Sequence, residues 1–200
     1  MANPDTPFGL RPVCHRNGAP YNGACRPYYV KSDYGTALFV GDPVITITAS
    51  ADANGIQEVQ RATAGSGAYI SGVIVGMATS AGDPAVPLTA DKPVYSPAST
   101  EGYVLVADDP DLLFEIQEDG VGGAIGAGAA GRNADIIIAA GSTVTGYSGV
   151  ELDSNTLDTT NTLQLRVVAP VKRADNDPTL TNAKWLVSIN LHSARNLTGI

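Results

Sequence analysis

Residues 184–191 read Lys-Trp-Leu-Val-Ser-Ile-Asn-Leu. Trp185, Val187, Ile189 and Leu191 alternate there with Leu186, Ser188 and Asn190, a period of two. Successive side chains of a strand point to opposite faces, so the stretch predicts a β-strand with one buried face. Leu163–Val167 repeats the pattern, with Leu163, Leu165 and Val167 on one side and Gln164 and Arg166 on the other. Val44–Thr48 shows it imperfectly. Working outward, runs rich in β-branched and aromatic residues predict strands over Pro27–Lys31, Thr36–Val40, Pro43–Ala49, Ile56–Arg61 and Tyr69–Met77. The same signal recurs over Gly102–Ala107, Leu112–Gln117, Asp135–Ala139, Leu163–Val171 and Lys184–Leu191. Most are bounded by Gly, Pro, Asp or Asn, and a turn roughly every 8–12 residues points to a barrel or sandwich.

Helical signal is thin. Val121–Ala130 contains Gly122, Gly123, Gly126 and Gly128. Each glycine costs about 1 kcal/mol in a helix interior, so the stretch reads as a loop. The polar, acidic run Leu152–Asn161 reads as an exposed loop.

The first 31 residues differ in kind. Five of the thirteen prolines lie there (Pro4, Pro7, Pro12, Pro20, Pro27), and Arg11, Arg16, Arg26 and Lys31 stand against Asp5 alone. Residues 32–165 hold three basic and seventeen acidic residues, residues 166–200 five basic and two acidic, and the net charge is -8. This division predicts an extended N-terminal arm, 1–31, on a single β-rich domain, 32–200. A basic segment beside an acidic body suits docking across a neighbour's surface. The candidate partner-binding residues are Phe8, Leu10, Tyr21 and Tyr28 as apolar anchors, with Arg11, Arg16 and Arg26 to meet carboxylates. The competing arrangement folds the arm back on its own acidic body. If the arm is separate, deleting residues 1–26 leaves the body folded.

Other signals exclude more than they assign. Only 16% of residues are charged, and no cluster of Lys and Arg outlines a phosphate-binding groove, so nucleic acid is not expected as a ligand. No apolar stretch approaches the roughly 18–20 residues that span a bilayer, and no secretory signal pattern opens the chain. Cys14 and Cys25 lack the spacing of a zinc site and read as reduced thiols, with a small disulfide loop as the alternative. Gly126–Gly131 matches the dinucleotide pattern G-x-G-x-x-G, but it leads into Ile136-Ile137-Ile138, a strand rather than the helix whose amides would cradle pyrophosphate. Asp108-Asp109-Pro110-Asp111 and Asp175-Asn176-Asp177-Pro178 lack calcium-loop spacing and read as solvated turns. His15 and His192 have no neighbouring nucleophile signature. No catalytic, cofactor-binding or metal-binding residue is assigned. Gly82-Asp83-Pro84-Ala85 faintly echoes Gly41-Asp42-Pro43-Val44, a common turn, and Asn196-Leu197-Thr198 fits a glycosylation sequon.

From Ala2-Asn3-Pro4-Asp5-Thr6-Pro7-Phe8-Gly9-Leu10-Arg11-Pro12-Val13 and Asn17-Gly18-Ala19-Pro20 onward, the chain resembles capsid cement (decoration) proteins of tailed bacteriophages. The resemblance continues through Thr36–Val44, Gly72–Gly76, Tyr103–Pro110 and Asn182–Trp185. It implies a small β-barrel or β-tulip body that binds the outer surface of an icosahedral head, commonly as a trimer. The major capsid protein would be its partner, and its site of synthesis the host bacterial cytoplasm. Two other readings stay open: a phage tail or baseplate component, and a carbohydrate-binding β-sandwich using Tyr95, Tyr103 or Tyr147 for stacking.

Overall fold

A computed structural model describes residues 3–78 and 93–195. The Gly82–Ala85 echo and the Asn196 sequon lie outside the described residues. Twelve strands run in chain order: β1 Arg11–His15, β2 Arg26–Val30, β3 Pro43–Ala51, β4 Gln57–Arg61, β5 Gly72–Ala78 and β6 Gly102–Ala107, followed by β7 Leu112–Gln117, β8 Asn133–Ala134, β9 Ile136–Ile137, β10 Glu151–Leu152, β11 Leu165–Pro170 and β12 Lys184–Ile189. The fold is mainly β, and its only helical pieces among the described residues are three short 3-10 turns.

Ten of the strands form two assemblies, and β9 and β10 pair with each other. An antiparallel sheet has the order β1-β7-β12-β11-β8, and a cycle of pairings runs β2-β4-β3-β5-β6 and back to β2. The β2–β4 link has the fewest paired residues in the cycle, a single parallel pair, Tyr29 opposite Glu58. In the sheet, Trp185, Val187 and Ile189 of β12 point inward with Phe114 and Ile116 of β7 and Leu165 and Val167 of β11. Inside the cycle, Val30, Leu38, Val44, Val59, Ile74, Met77, Val104 and Val106 make a second core.

Two strands reach both cores: β6 places Val104 and Val106 in the cycle core and ends in Ala107 in the sheet core, and β5 is shared residue by residue. On β5, Val73 belongs to the sheet core while Ile74 belongs to the cycle core. The uninterrupted apolar run Gly72–Met77 follows from this, because a strand covered on both faces needs no polar alternation. A register shift between Ile74 and Gly76 adds one residue, so Met77 points the same way as Ile74.

The extended arm expected over residues 1–31 is not what residues 3–31 form. β1 pairs with β7, placing Pro12 opposite Phe114, and β2 pairs with β6 along its whole length. Leu10 is 1% exposed within the sheet core. The arm folds back because its apolar side chains find burial on the body and its charges find carboxylates there. Prolines do not prevent this, since each loses only its N–H and keeps its carbonyl acceptor. The outer edge of β1 is also occupied: Tyr21 N–H donates to Val13 O, and His15 N–H donates to Ala19 O. That edge cannot take a further strand there.

The end of the arm meets the body at a glycine pair. Gly9 (φ 73) and Gly41 (φ 95) approach so closely that a Cβ on Gly9 would lie 2.4 Å from Gly41 O. Leu10 N–H donates to that same carbonyl at 2.9 Å. Only glycine accommodates both the contact and the left-handed backbone.

Two further expectations shift, and a third holds. Thr36–Val40 is not a strand, although Leu38 and Val40 make isolated bridges to Ser96 and Tyr147. The predicted loop Leu152–Asn161 begins with a fully buried Leu152 in β10. Gly126–Gly131 contains one 3-10 turn and leads to β8, with no helix to supply an amide cradle.

Candidate functional site

The seven arm residues singled out from sequence fall in three places, each engaged with the chain's own body. Phe8, Leu10, Arg11 and Tyr21 line one groove of about 420 Å³, together with Pro12, Val40, Gly41, Ile74, Val75 and Tyr147. Arg11 stacks over the Phe8 ring, 4.8 Å from its centroid, and pairs with Glu115 at 2.8 Å. Tyr21 packs on the sheet core, and its hydroxyl donates to Ala24 O. Leu10 is a core residue and not an anchor for another molecule.

The groove is apolar and its outer wall is rigid. Val40 N–H donates to Gly146 O and Ser148 N–H donates to Val40 O, clamping the backbone on either side of Tyr147. Beneath this, the buried Asp42 carboxylate accepts Phe39 N–H at 2.9 Å and the Ser148 hydroxyl at 2.5 Å. Burial pushes the Asp42 carboxyl up, and these two hydrogen bonds offset only part of that rise. The clamp presents the Tyr147 ring outward, 53% exposed. Phe8 and Tyr147 also border a second groove with Thr6, Pro7, Ala140 and Thr145. Val144 in the same loop is 87% exposed, and Val94, whose carbonyl abuts Gly146, is 52% exposed. Large exposed apolar side chains grouped on one face mark a contact surface more often than single scattered ones do.

Arg26 and Tyr28 belong to a second, polar cleft of about 400 Å³. Tyr28 donates to Asp108 at 2.9 Å, and Arg26 lies 3.5 Å from the same carboxylate. Burial, with Asp108 beside it, holds the Tyr28 phenol well above its ordinary range. His192, 2% exposed, lines this cleft and accepts Ala194 N–H at Nδ1. Burial pulls its pKa down, so the imidazole stays neutral with its proton on Nε2. His15 reaches Asp109 at 3.3 Å and Arg195 pairs with Asp111, so the acidic turn 108–111 ties β1 to the segment that follows β12. Among the described residues, no group of three or more His, Cys, Asp or Glu side chains is placed to hold a metal ion. Arg16 stands apart and donates to the buried Ser188 hydroxyl on the sheet's other face.

Of the tyrosines proposed for stacking, Tyr95 lies against Phe39 at 5.2 Å and Tyr103 donates to Asp52. Tyr147 alone among these three is more than half exposed. Sequence reading flagged Tyr147 for sugars and did not connect it to Phe8, because their meeting depends on the long-range Val40–Tyr147 bridge. Cys14 and Cys25 are both half-buried. No helix among the described residues is long and apolar enough to cross a membrane. No family model, curated protein or solved structure matches this chain.

Proposed function

We propose that this is a structural virion protein, a cement protein bound as a trimer to the outer surface of an icosahedral phage head, where it reinforces contacts between major capsid protein capsomers. The observation that carries the reading is where the segments of resemblance meet. Phe8-Gly9-Leu10 and Gly41-Asp42-Pro43 touch through the Gly9–Gly41 approach and the Leu10–Gly41 hydrogen bond. Tyr103–Pro110 supplies most of β6 and the acidic turn, and Asn182–Trp185 opens β12. Sequence likeness concentrated at packing junctions is what a shared architecture requires. The small β-barrel or β-tulip body belongs to the same reading, supported by the β2-β4-β3-β5-β6 cycle.

Docking through an unfolded tail has no support, since residues 3–31 lie on the body. The contact falls instead to a preformed face: Tyr147, Val144 and Val94 with the groove behind Phe8. A face rigid before binding loses little entropy on docking, and many copies on one shell sum modest contacts into large reinforcement. Mixing purified protein with undecorated heads and imaging them tests this. Density on the outer surface is expected, and Tyr147→Ala with Val144→Asp is expected to remove it. Labelling confined to tails would favour the baseplate alternative. Binding on a glycan array that is lost in Tyr147→Ala would favour the carbohydrate alternative.

A further inference from the structure

Residues 3–9 cross the body without joining any strand, and side-chain amides hold them down. Asn3 Nδ2 donates to the carbonyls of Asp177 and Thr181, both at 2.9 Å, while its Oδ1 accepts Asp177 N–H. Gln117, on β7, donates to Pro4 O and accepts Thr6 N–H. Asp5 sits between Pro4 and Thr6, within the Gln117 clip, and is close enough to Glu151 on β10 to raise its carboxyl. Asp119, in the turn after β7, also acts on Glu151, and its N–H donates to Leu152 O next along the chain.

This is a cluster of carboxylates with unmet needs. Glu151 Oε1 and Asp119 Oδ2 are both buried without a hydrogen-bond partner. The other Asp119 oxygen is occupied by Ser154, through its N–H and its hydroxyl. Neighbouring acids are engaged elsewhere: Glu118 accepts from Trp185 Nε1, and Asp153 caps the 3-10 turn at Asn155. Among the described residues, no Lys, Arg or His contributes to the charge balance at Glu151. A proton on Glu151 relieves repulsion from both neighbours.

We propose that residues 3–9 form a pH-sensitive strap, closed when Glu151 carries a proton and loosened when Glu151 is ionised opposite Asp5 and Asp119. Burial, then Asp5, then Asp119, push the Glu151 carboxyl up to about 7. Lifting the strap removes Asp5 and admits water, so the open form holds the proton less tightly. Closure therefore takes up a proton: it is favoured as pH falls through about 7 and opposed as pH rises above it. The strap goes beyond the cement reading and stands whether or not that reading does.

Hydrogen exchange in the full chain tests it, with rates corrected for the intrinsic pH dependence of amide exchange. Protection at Thr6 and Leu10 is expected to fall at least about threefold between pH 6 and 8.5, the order expected when about 0.65 kcal/mol separates the two states. Glu151→Gln, a fixed neutral mimic, should abolish that fall while leaving protection high. Should Glu151→Gln not fold, Asp5→Asn, at an exposed position, is expected to shrink the fall without abolishing it, since burial and Asp119 still act on Glu151. A fall of the same size in the variants, no fall in the unaltered chain, or a Glu151 carboxyl titrating in the ordinary glutamate range by carbon NMR overturns the proposal.

Discussion

β1 and β12 flank the same strand, β7, and are held there by different physics. β12 puts Trp185, Val187 and Ile189 into the sheet core, all of them essentially unexposed, and is hydrogen-bonded on both sides. β1 puts none of its own side chains into that core. Its place is fixed by Leu10 just before it and by polar links around it: Arg11 to Glu115, Arg16 to Ser188, and Asn3 to the turn at 177–181. One flank of the sheet is stabilised by buried area, the other by one apolar plug and a set of specific polar contacts. Burial is insensitive to pH and salt, whereas partly exposed ion pairs contribute little and respond to both.

That contrast can be broken most severely by removing the polar flank altogether. Deleting residues 1–26 takes away β1, Leu10 and the first residue of β2, exposing one edge of β7 and weakening the closure onto β6. Loss of cooperative thermal unfolding is expected, against the folded body that a separate arm would leave. Trp185→Ala comes next. It empties the largest buried site and leaves Glu118 without its indole donor, so a loss of about 4 kcal/mol is expected by denaturant titration. Leu10→Ala should cost about 3 kcal/mol by the same measurement, far more than a residue in a solvated tail could.

The polar contacts give smaller effects that sharpen the comparison. Asn3→Ala removes the side chain that bridges to Asp177 and Thr181, and about 1–2 kcal/mol is expected because those contacts are only partly buried. Arg11→Ala should change stability by well under about 1 kcal/mol, since the side chain is 55% exposed and Arg173 still pairs with Glu115 at 2.7 Å. The Asn3 and Arg11 variants should also lose their effects unequally in high salt, the arginine contribution fading first.

How much of this is legible in the residues follows from the same division. The bounds of β6 and β7 and the inward faces of β11 and β12 can be read from apolar patterning, because burial on one face imposes a period of two. β1 cannot be read that way: Arg-Pro-Val-Cys-His carries no apolar face, and its pairing with β7 joins residues about a hundred positions apart. β8, β9 and β10 are two residues each, too short to show any period. The groove was half legible. Phe8, Leu10, Arg11 and Tyr21 stand out as apolar and basic residues in a Pro-rich stretch, but Tyr147 joins them only through the Val40 bridge. The carboxylate cluster left no local mark, since Asp5, Asp119 and Glu151 are brought together by the strap and β10.

The central claim, that the Pro-rich N-terminal stretch is part of the folded body in a lone subunit, is tested most directly by hydrogen exchange on dilute, unassociated protein at pH 6. Amides paired within β1 and β2 are expected to exchange on the timescale of those in β7, with Leu10 protected by its bond to Gly41. Complete exchange of residues 10–30 within seconds, while β7 and β12 stay protected, would contradict it.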